Sequence, residues 1–258
     1  MSEDILNLPP PPPDQRIAYG SDPNQFLHLR FPGAKRKHAA PLLICIHGGF
    51  WRAKYDLTHA GHMCAALSAK RITTANLEYR RVGNHGGGWP GSFADICSAY
   101  RFLLQNAGAY GIDPSRFVVM GHSAGGQLAL CLAAQEPALH GFISLAGVVD
   151  LRRAFKLHLS NDAVVEFLGG TPSEVPGSYR EADPMQLSIQ PQQWLIHGQE
   201  DDTVPPAFSR DYVAAKQTGM RKEDAHLIEI PAASHMDLID PRSAAWKQVE
   251  QIVLQLTA

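Results

Sequence analysis

Apolar residues along this chain fall into two alternating patterns. Short unbroken runs read as strands covered on both faces, while positions recurring every three or four residues read as one side of a helix. The runs predict strands over residues 26–31, 41–47, 72–79, 117–120, 142–145, 193–197 and 225–230. The second of these holds the continuous apolar stretch Leu42-Leu43-Ile44-Cys45-Ile46. Helical spacing links Phe93, Ile96, Cys97, Tyr100, Leu103 and Leu104, and a second helix is expected from 123 to about 134. A closing helix carries Ala245, Val249, Ile252, Val253 and Leu256 on one face. Strand and helix in alternation predict an α/β fold: a mostly parallel central sheet flanked by helices on both faces. Ligands in such sheets bind at the carboxyl ends of the strands, so chemistry is sought just after each run.

Two segments break the rhythm. Residues 150–191 are long, with helical signals of their own and the turn formers Gly169-Gly170, Pro172 and Pro176. They read as a small cap insertion over the sheet edge. Residues 9–13 are five consecutive prolines, which donate no backbone hydrogen bonds and favour a polyproline II arm. The expected organisation is an amino-terminal arm over 1–15 and one catalytic domain over 16–258.

Composition narrows the class. With 258 residues, 45% of them apolar, the chain fills a sizeable core. A net charge of -2 gives no electrostatic reason to expect nucleic acid as a partner. The densest basic run, Lys35-Arg36-Lys37-His38, sits between turn formers and reads as a solvated loop. Cys45, Cys64, Cys97 and Cys131 lie in apolar segments and form no C-x-x-C pair, as suits reduced thiols in a cytoplasmic protein. The first eight residues lack the pattern of a secretory signal, and no apolar run approaches the ~20 residues that span a bilayer. No membrane partner is therefore expected, and no coiled-coil seam or repeat fixes an oligomeric state. No histidine and carboxylate group has metal-ligand spacing, so neither metal nor cofactor is expected.

One motif carries chemistry. Gly121-His122-Ser123-Ala124-Gly125 is a G-x-S-x-G sequence between a buried strand and a helix of small residues. Such a sharp turn holds the serine in a strained conformation that only small neighbours tolerate, and raises its hydroxyl at a helix amino terminus. Ser123 is the expected nucleophile, and His122 flanks it as a residue lining the substrate site.

A serine nucleophile needs backbone N–H groups aimed at the developing oxyanion. Ala124 supplies one, and the loop after an earlier strand supplies the others. His85-Gly86-Gly87-Gly88 matches the usual glycine-rich string literally but stands well beyond the strand ending near Tyr79. His47-Gly48-Gly49-Phe50-Trp51 follows its strand directly, so Gly49 and Phe50 are the expected donors with Ala124. Trp51 is a candidate wall of the substrate pocket, with the core as its other possible place. For the acid, His197-Gly198-Gln199-Glu200-Asp201-Asp202-Thr203-Val204-Pro205 follows a strand, and spacing ranks Asp201 ahead of Asp202 and Glu200. His235 follows the last strand and is the expected base, in the chain order serine, acid, histidine. His47 and His197, which precede glycines at loop entries, read as residues that shape those loops.

These residues resemble a known family. The HGGFW loop, the GHSAGG turn, the HGQEDDTVP segment and the terminal SHMDLID together look like the esterase/lipase and prolyl-oligopeptidase-like branch of the α/β hydrolases, over roughly residues 40–258. In that pattern the aspartate is third after the His-Gly pair and shortly precedes Val-Pro, which falls on Asp201. Leu168-Gly169-Gly170-Thr171-Pro172 and Glu78-Tyr79-Arg80-Arg81 are also similar to members of this branch. The resemblance implies an α/β-hydrolase fold and a serine carboxylesterase working through an acyl-enzyme, and the short cap points to small to medium acyl esters. Phe50 stands where the hormone-sensitive-lipase branch has a third glycine, which narrows the space near the oxyanion. His-Gly-Gly-aromatic-Trp is similar to the kynurenine formamidases as well, making an arylformamidase the alternative. A non-catalytic ligand receptor on this fold is a third reading, opposed by the full set of serine, acid and histidine candidates.

Overall fold

A computed structural model, describing residues 2–33, 39–219 and 222–258, gathers the apolar runs into a single eight-stranded sheet. The basic run Lys35-Arg36-Lys37-His38 lies outside the described residues. The strands are β1 (Gln15–Ala18), β2 (Phe26–Arg30), β3 (Ala40–Ile46), β4 (Thr73–Leu77), β5 (Ile112–His122), β6 (Gly141–Leu145), β7 (Gln192–Gly198) and β8 (Ala225–Ile230). Their spatial order is β1-β2-β4-β3-β5-β6-β7-β8. β1 and β2 run antiparallel to their neighbours, and the other pairs are parallel.

Parity along β3 explains the unbroken runs. Leu42, Ile44 and Ile46 enter one core, while Leu43 and Cys45 enter another on the opposite side of the sheet. The first core is closed by α2 (Gly91–Asn106), α3 (Ala124–Gln135) and α7 (Ala207–Thr218), through residues such as Ile96, Leu128 and Phe208. The second is closed by α1 (Gly61–Ser68) and α8 (Trp246–Leu256), through Met63 and Val249. With helices on both faces, strands such as β3, β4 and β6 are buried at every position.

Three elements go beyond the alternation read from the sequence: β1, α1 and α7. The amino-terminal arm also differs from a free polyproline rod. Residues Ser2–Asn7 form a 3-10 turn, and Ile5 is buried in the second core. The arm behind it is docked, since Arg30 Nη2 donates to the Pro11 carbonyl and Pro10 packs against Gly61.

Residues 150–191 hold α4 (Leu151–Lys156), α5 (Ala163–Leu168), α6 (Pro176–Ala182) and a 3-10 turn, Pro184–Gln186. They connect β6 to β7, which are interior neighbours in the sheet. α5 meets the loop that follows β3. Phe167 stacks on Trp51 at 4.5 Å between ring centroids, and the Arg52 guanidinium grips the Glu166 carboxylate at 2.8 and 3.0 Å. No helix among the described residues is long and apolar enough to cross a membrane.

Candidate active site

β5 ends at His122 and α3 begins at Ala124, leaving Ser123 alone at the turn between them. Its backbone is at φ 56, ψ -122, a sparsely populated region that surrounding contacts must enforce. Those contacts are present. Ser123 N–H donates to the Leu145 carbonyl at 2.8 Å, and the Ser123 carbonyl accepts from Gly126 at 2.9 Å and Val148 at 3.2 Å. The flanking glycines are sterically required. A Cβ on Gly121 would stand 2.0 Å from the Gly125 carbonyl oxygen, and one on Gly125 would stand 2.2 Å from that of Ile46.

The loop after β3 turns sharply beside the serine. Gly49, Phe50 and Trp51 have φ of 106, 49 and 57, three successive residues in the left-handed region. A Cβ on Gly48 would lie 2.8 Å from that of Ser123, so the close approach needs glycine there. Among the described residues no acceptor meets the N–H groups of Gly49, Phe50 or Ala124. His47 anchors the loop from beneath, with Nε2 3.0 Å from Glu78 Oε1 and its carbonyl accepting from Tyr79 Oη at 3.0 Å.

His235 follows β8 and is 4% exposed. Its Nδ1 lies 2.7 Å from Asp201 Oδ2. A carboxylate accepts, so Nδ1 carries the proton and Nε2 keeps its lone pair. Asp201 Oδ1 accepts from the N–H groups of Thr203 and Val204 at 2.9 and 2.8 Å. Burial alone pushes this carboxyl up. The hydrogen bonds from His197 and His235, the His235 charge and the Val204 N–H together outweigh burial and hold it below its ordinary value of 3.8. His197 also ties the loop together, with Nε2 2.8 Å from the Val204 carbonyl and Nδ1 2.7 Å from Ser209 Oγ. Asp202 and Glu200 are exposed.

Ser123, His235, Gly49, Phe50 and His122 all line one cavity of about 230 Å³, completed by Leu6, Tyr55, His59, Thr203 and Met236. Trp51 is not on its wall. The three left-handed residues turn its indole into the core, where it is 1% exposed, stacks on Phe167 and donates from Nε1 to Gln127 at 3.0 Å. The expected substrate contact at Trp51 is thereby corrected. Leu6, Tyr55 and His59 carried no motif, while Thr203 and Met236 lay inside the HGQEDDTVP and SHMDLID segments without being singled out themselves. The literal glycine string 85–88 leads into α2, with Gly88 N–H donating to Ser92 Oγ at 3.1 Å, and none of its residues lines the cavity.

Comparison with known proteins adds the family. A family model described as BD-FAE matches residues 27–215. The chain is 28% identical to esterase LipQ and 26% identical to esterase LipC, both of Mycobacterium tuberculosis, over 90% and 88% of its own length. It spans 61% and 60% of those two proteins, about three fifths of their length. Among solved structures it is similar to esterase B from Lactobacillus rhamnosis, with a TM-score of 0.82, 18% identity, and 99% of this chain and 89% of that one covered. The likeness shows the α/β-hydrolase fold.

Proposed function

Because the chain belongs to the BD-FAE family, we propose that it is a serine carboxylesterase working through Ser123, His235 and Asp201. One observation carries the reading: a serine at a strained strand-to-helix turn shares a cavity with a histidine whose far nitrogen is fixed by a buried carboxylate.

In this reading Ser123 Oγ attacks the ester carbonyl as His235 Nε2 takes its proton. Asp201 keeps the proton already on Nδ1 in place and balances the imidazolium. Charge gathers on the former carbonyl oxygen, where the N–H groups of Gly49, Phe50 and Ala124 are the proposed donors. His235 then gives its proton to the leaving alcohol, and the carbonyl re-forms as an acyl-Ser123. Water, deprotonated by His235, attacks that acyl group, and the acid leaves as the proton returns to Ser123.

Pockets for drug-sized ligands run from about 300 to 1,000 Å³, so a cavity of about 230 Å³ favours short acyl groups. Phe50, Leu6 and Met236 supply apolar wall. The insertion over 150–191 is proposed as a cap on this side of the sheet. Four free, buried cysteines are consistent with a cytoplasmic protein.

The test is turnover of p-nitrophenyl esters from acetate to decanoate by wild type and Ser123→Ala. Activity should fall steeply with acyl length and vanish in the variant. Undiminished turnover by Ser123→Ala would overturn the assignment, and a flat profile at long chains would overturn the size limit. Inactivity on every ester with turnover of N-formylkynurenine would move the reading to formamide hydrolysis.

A further inference from the structure

Two buried histidines lie against the proposed machinery without taking part in its proton transfers. His59 is 8% exposed and His122 2%, and both line the Ser123 cavity. Their rings are 6.0 Å apart, and that of His122 is 4.5 Å from His235. Each bonds the backbone of a different site loop. Gly48 N–H donates to His59 Nε2 at 3.2 Å, while His122 Nε2 stands 3.1 Å from the His235 carbonyl oxygen. A carbonyl cannot donate, so His122 carries its proton on Nε2, whereas His59 must keep a lone pair there. The two rings hold opposite tautomers.

The loop over 48–51 has reason to need such a tie. Three of its residues sit in the left-handed region, and Phe50 and Trp51 do so with side chains attached. Trp51 is fixed by the core at one end, and the bond to His59 fixes Gly48 at the other. Without it a buried N–H would lack an acceptor, and rotation of the peptide would shift the neighbouring Gly49 donor. On the opposite side, His122 Nδ1 is buried with no hydrogen-bond partner among the described residues. That orphaned nitrogen is a cost, and the hydrogen bond that the ring does make runs from Nε2 to the segment bearing His235.

We propose that His59 and His122 are positioning residues that clamp the loops on either side of Ser123. His59 sets the oxyanion donors through the Gly48 N–H, and His122 sets the base through the His235 carbonyl. The inference rests on the ester-hydrolase reading above. The surroundings agree with it: burial, with His47 and His235 nearby, lowers His59 to about 3. Burial and the charges of His235 and His59 hold His122 well below its ordinary 6.5. Near neutral pH His59 therefore keeps the lone pair that accepts from Gly48, and His122 stays uncharged beside His235.

The experiment compares kcat and KM on p-nitrophenyl acetate for wild type, His59→Leu, His59→Gln, His122→Phe, His122→Gln and Ser123→Ala. Loss of either apolar-substituted bond should lower kcat by about 10- to 100-fold, the scale of a displacement near 1 Å in a reacting group, with KM nearly unchanged. Glutamine restores an acceptor at 59 and a donor at 122, so both glutamine variants should recover most of kcat. If His59→Leu does not fold, His59→Met serves in its place. Apolar variants with wild-type kcat, or glutamine variants as impaired as the apolar ones, overturn the clamp while Ser123→Ala remains dead. A fully active Ser123→Ala instead overturns the ester-hydrolase reading, and the clamp with it.

Discussion

Asp201 and Asp202 are adjacent and chemically identical, yet the turn after β7 gives them opposite surroundings. Asp201 is 6% exposed and accepts from two backbone N–H groups as well as from His235. Asp202 is exposed and its oxygen accepts only a longer bond of 3.3 Å from Thr203 Oγ1 among the described residues. Asp201→Asn should leave the ring held by an amide that no longer fixes the tautomer, lowering kcat on the order of 10⁴. Asp202→Asn should change kcat by less than about 2-fold, since an exposed, solvated charge is heavily screened. Steady-state kinetics of the two variants checks this, and the reverse ranking would move the acid. Ser123, Asp201 and His235 were legible in the sequence because each follows an apolar run, where a doubly covered parallel sheet exposes chemistry. Trp51 was not: whether a side chain after two glycines faces pocket or core depends on three φ angles that no spacing encodes. His59 and Tyr55 were hidden for a related reason, reaching the cavity from a segment without strand or helical periodicity.

Among the elements, the turn from β5 into α3 places the strongest demands on sequence. Gly125 packs its α-carbon against the end of β3, so that the helix amino terminus and the oxyanion loop lie side by side. A methyl group there would meet the Ile46 and His47 carbonyl oxygens at 2.2 and 2.6 Å, both backbone atoms with little room to move. Gly125→Ala should therefore cost about 1–3 kcal/mol of stability and depress kcat by parting β3 from α3. Gly108→Ala, with nothing within 4 Å of its added carbon, is the control and should leave both unchanged. Denaturant midpoints and esterase assays on the two variants decide it; equal midpoints would mean that the turn has slack the contacts do not show. Strong periodicity made the larger elements readable, as with α2 and α8. α1 spans eight residues, too few for its buried Met63, Cys64 and Leu67 to declare a period. β1 is mostly exposed and lacks the apolar run that marks the interior strands. The 3-10 turn at Ser2–Asn7 escapes for another reason, since Ile5 finds its place only once the second core exists to receive it.

At the scale of the whole molecule, several buried groups titrate differently folded and unfolded, and their signs oppose one another. Burial, with His47 second, lowers His59 from 6.5 to about 3, and burial with His235 lowers His122 in the same direction. In the unfolded chain both gain protons as pH falls through 6.5. Their contribution to stability is complete above that point and is lost as pH falls towards the folded values. His28, half-buried, is lowered as well, again chiefly by burial. Asp183 acts against them: burial raises it from 3.8 to about 6 despite the Leu151 and Met185 N–H groups that donate to its Oδ1. Its contribution is complete below 3.8 and is lost as pH rises through the folded value. Between about pH 4 and 6 the two lowered histidines, joined towards pH 4 by the lowered carboxyls of Asp201 and Glu78, outweigh the one raised aspartate, so the unfolded state binds more protons and stability rises with pH. Asp183→Asn removes the opposing group and should steepen that slope, while His59→Leu should flatten it. Chemical denaturation across this range measures all three slopes. A wild-type stability that falls with pH there would show that the two histidines are already charged in the folded protein, which would also remove the lone pair that His59 offers to Gly48.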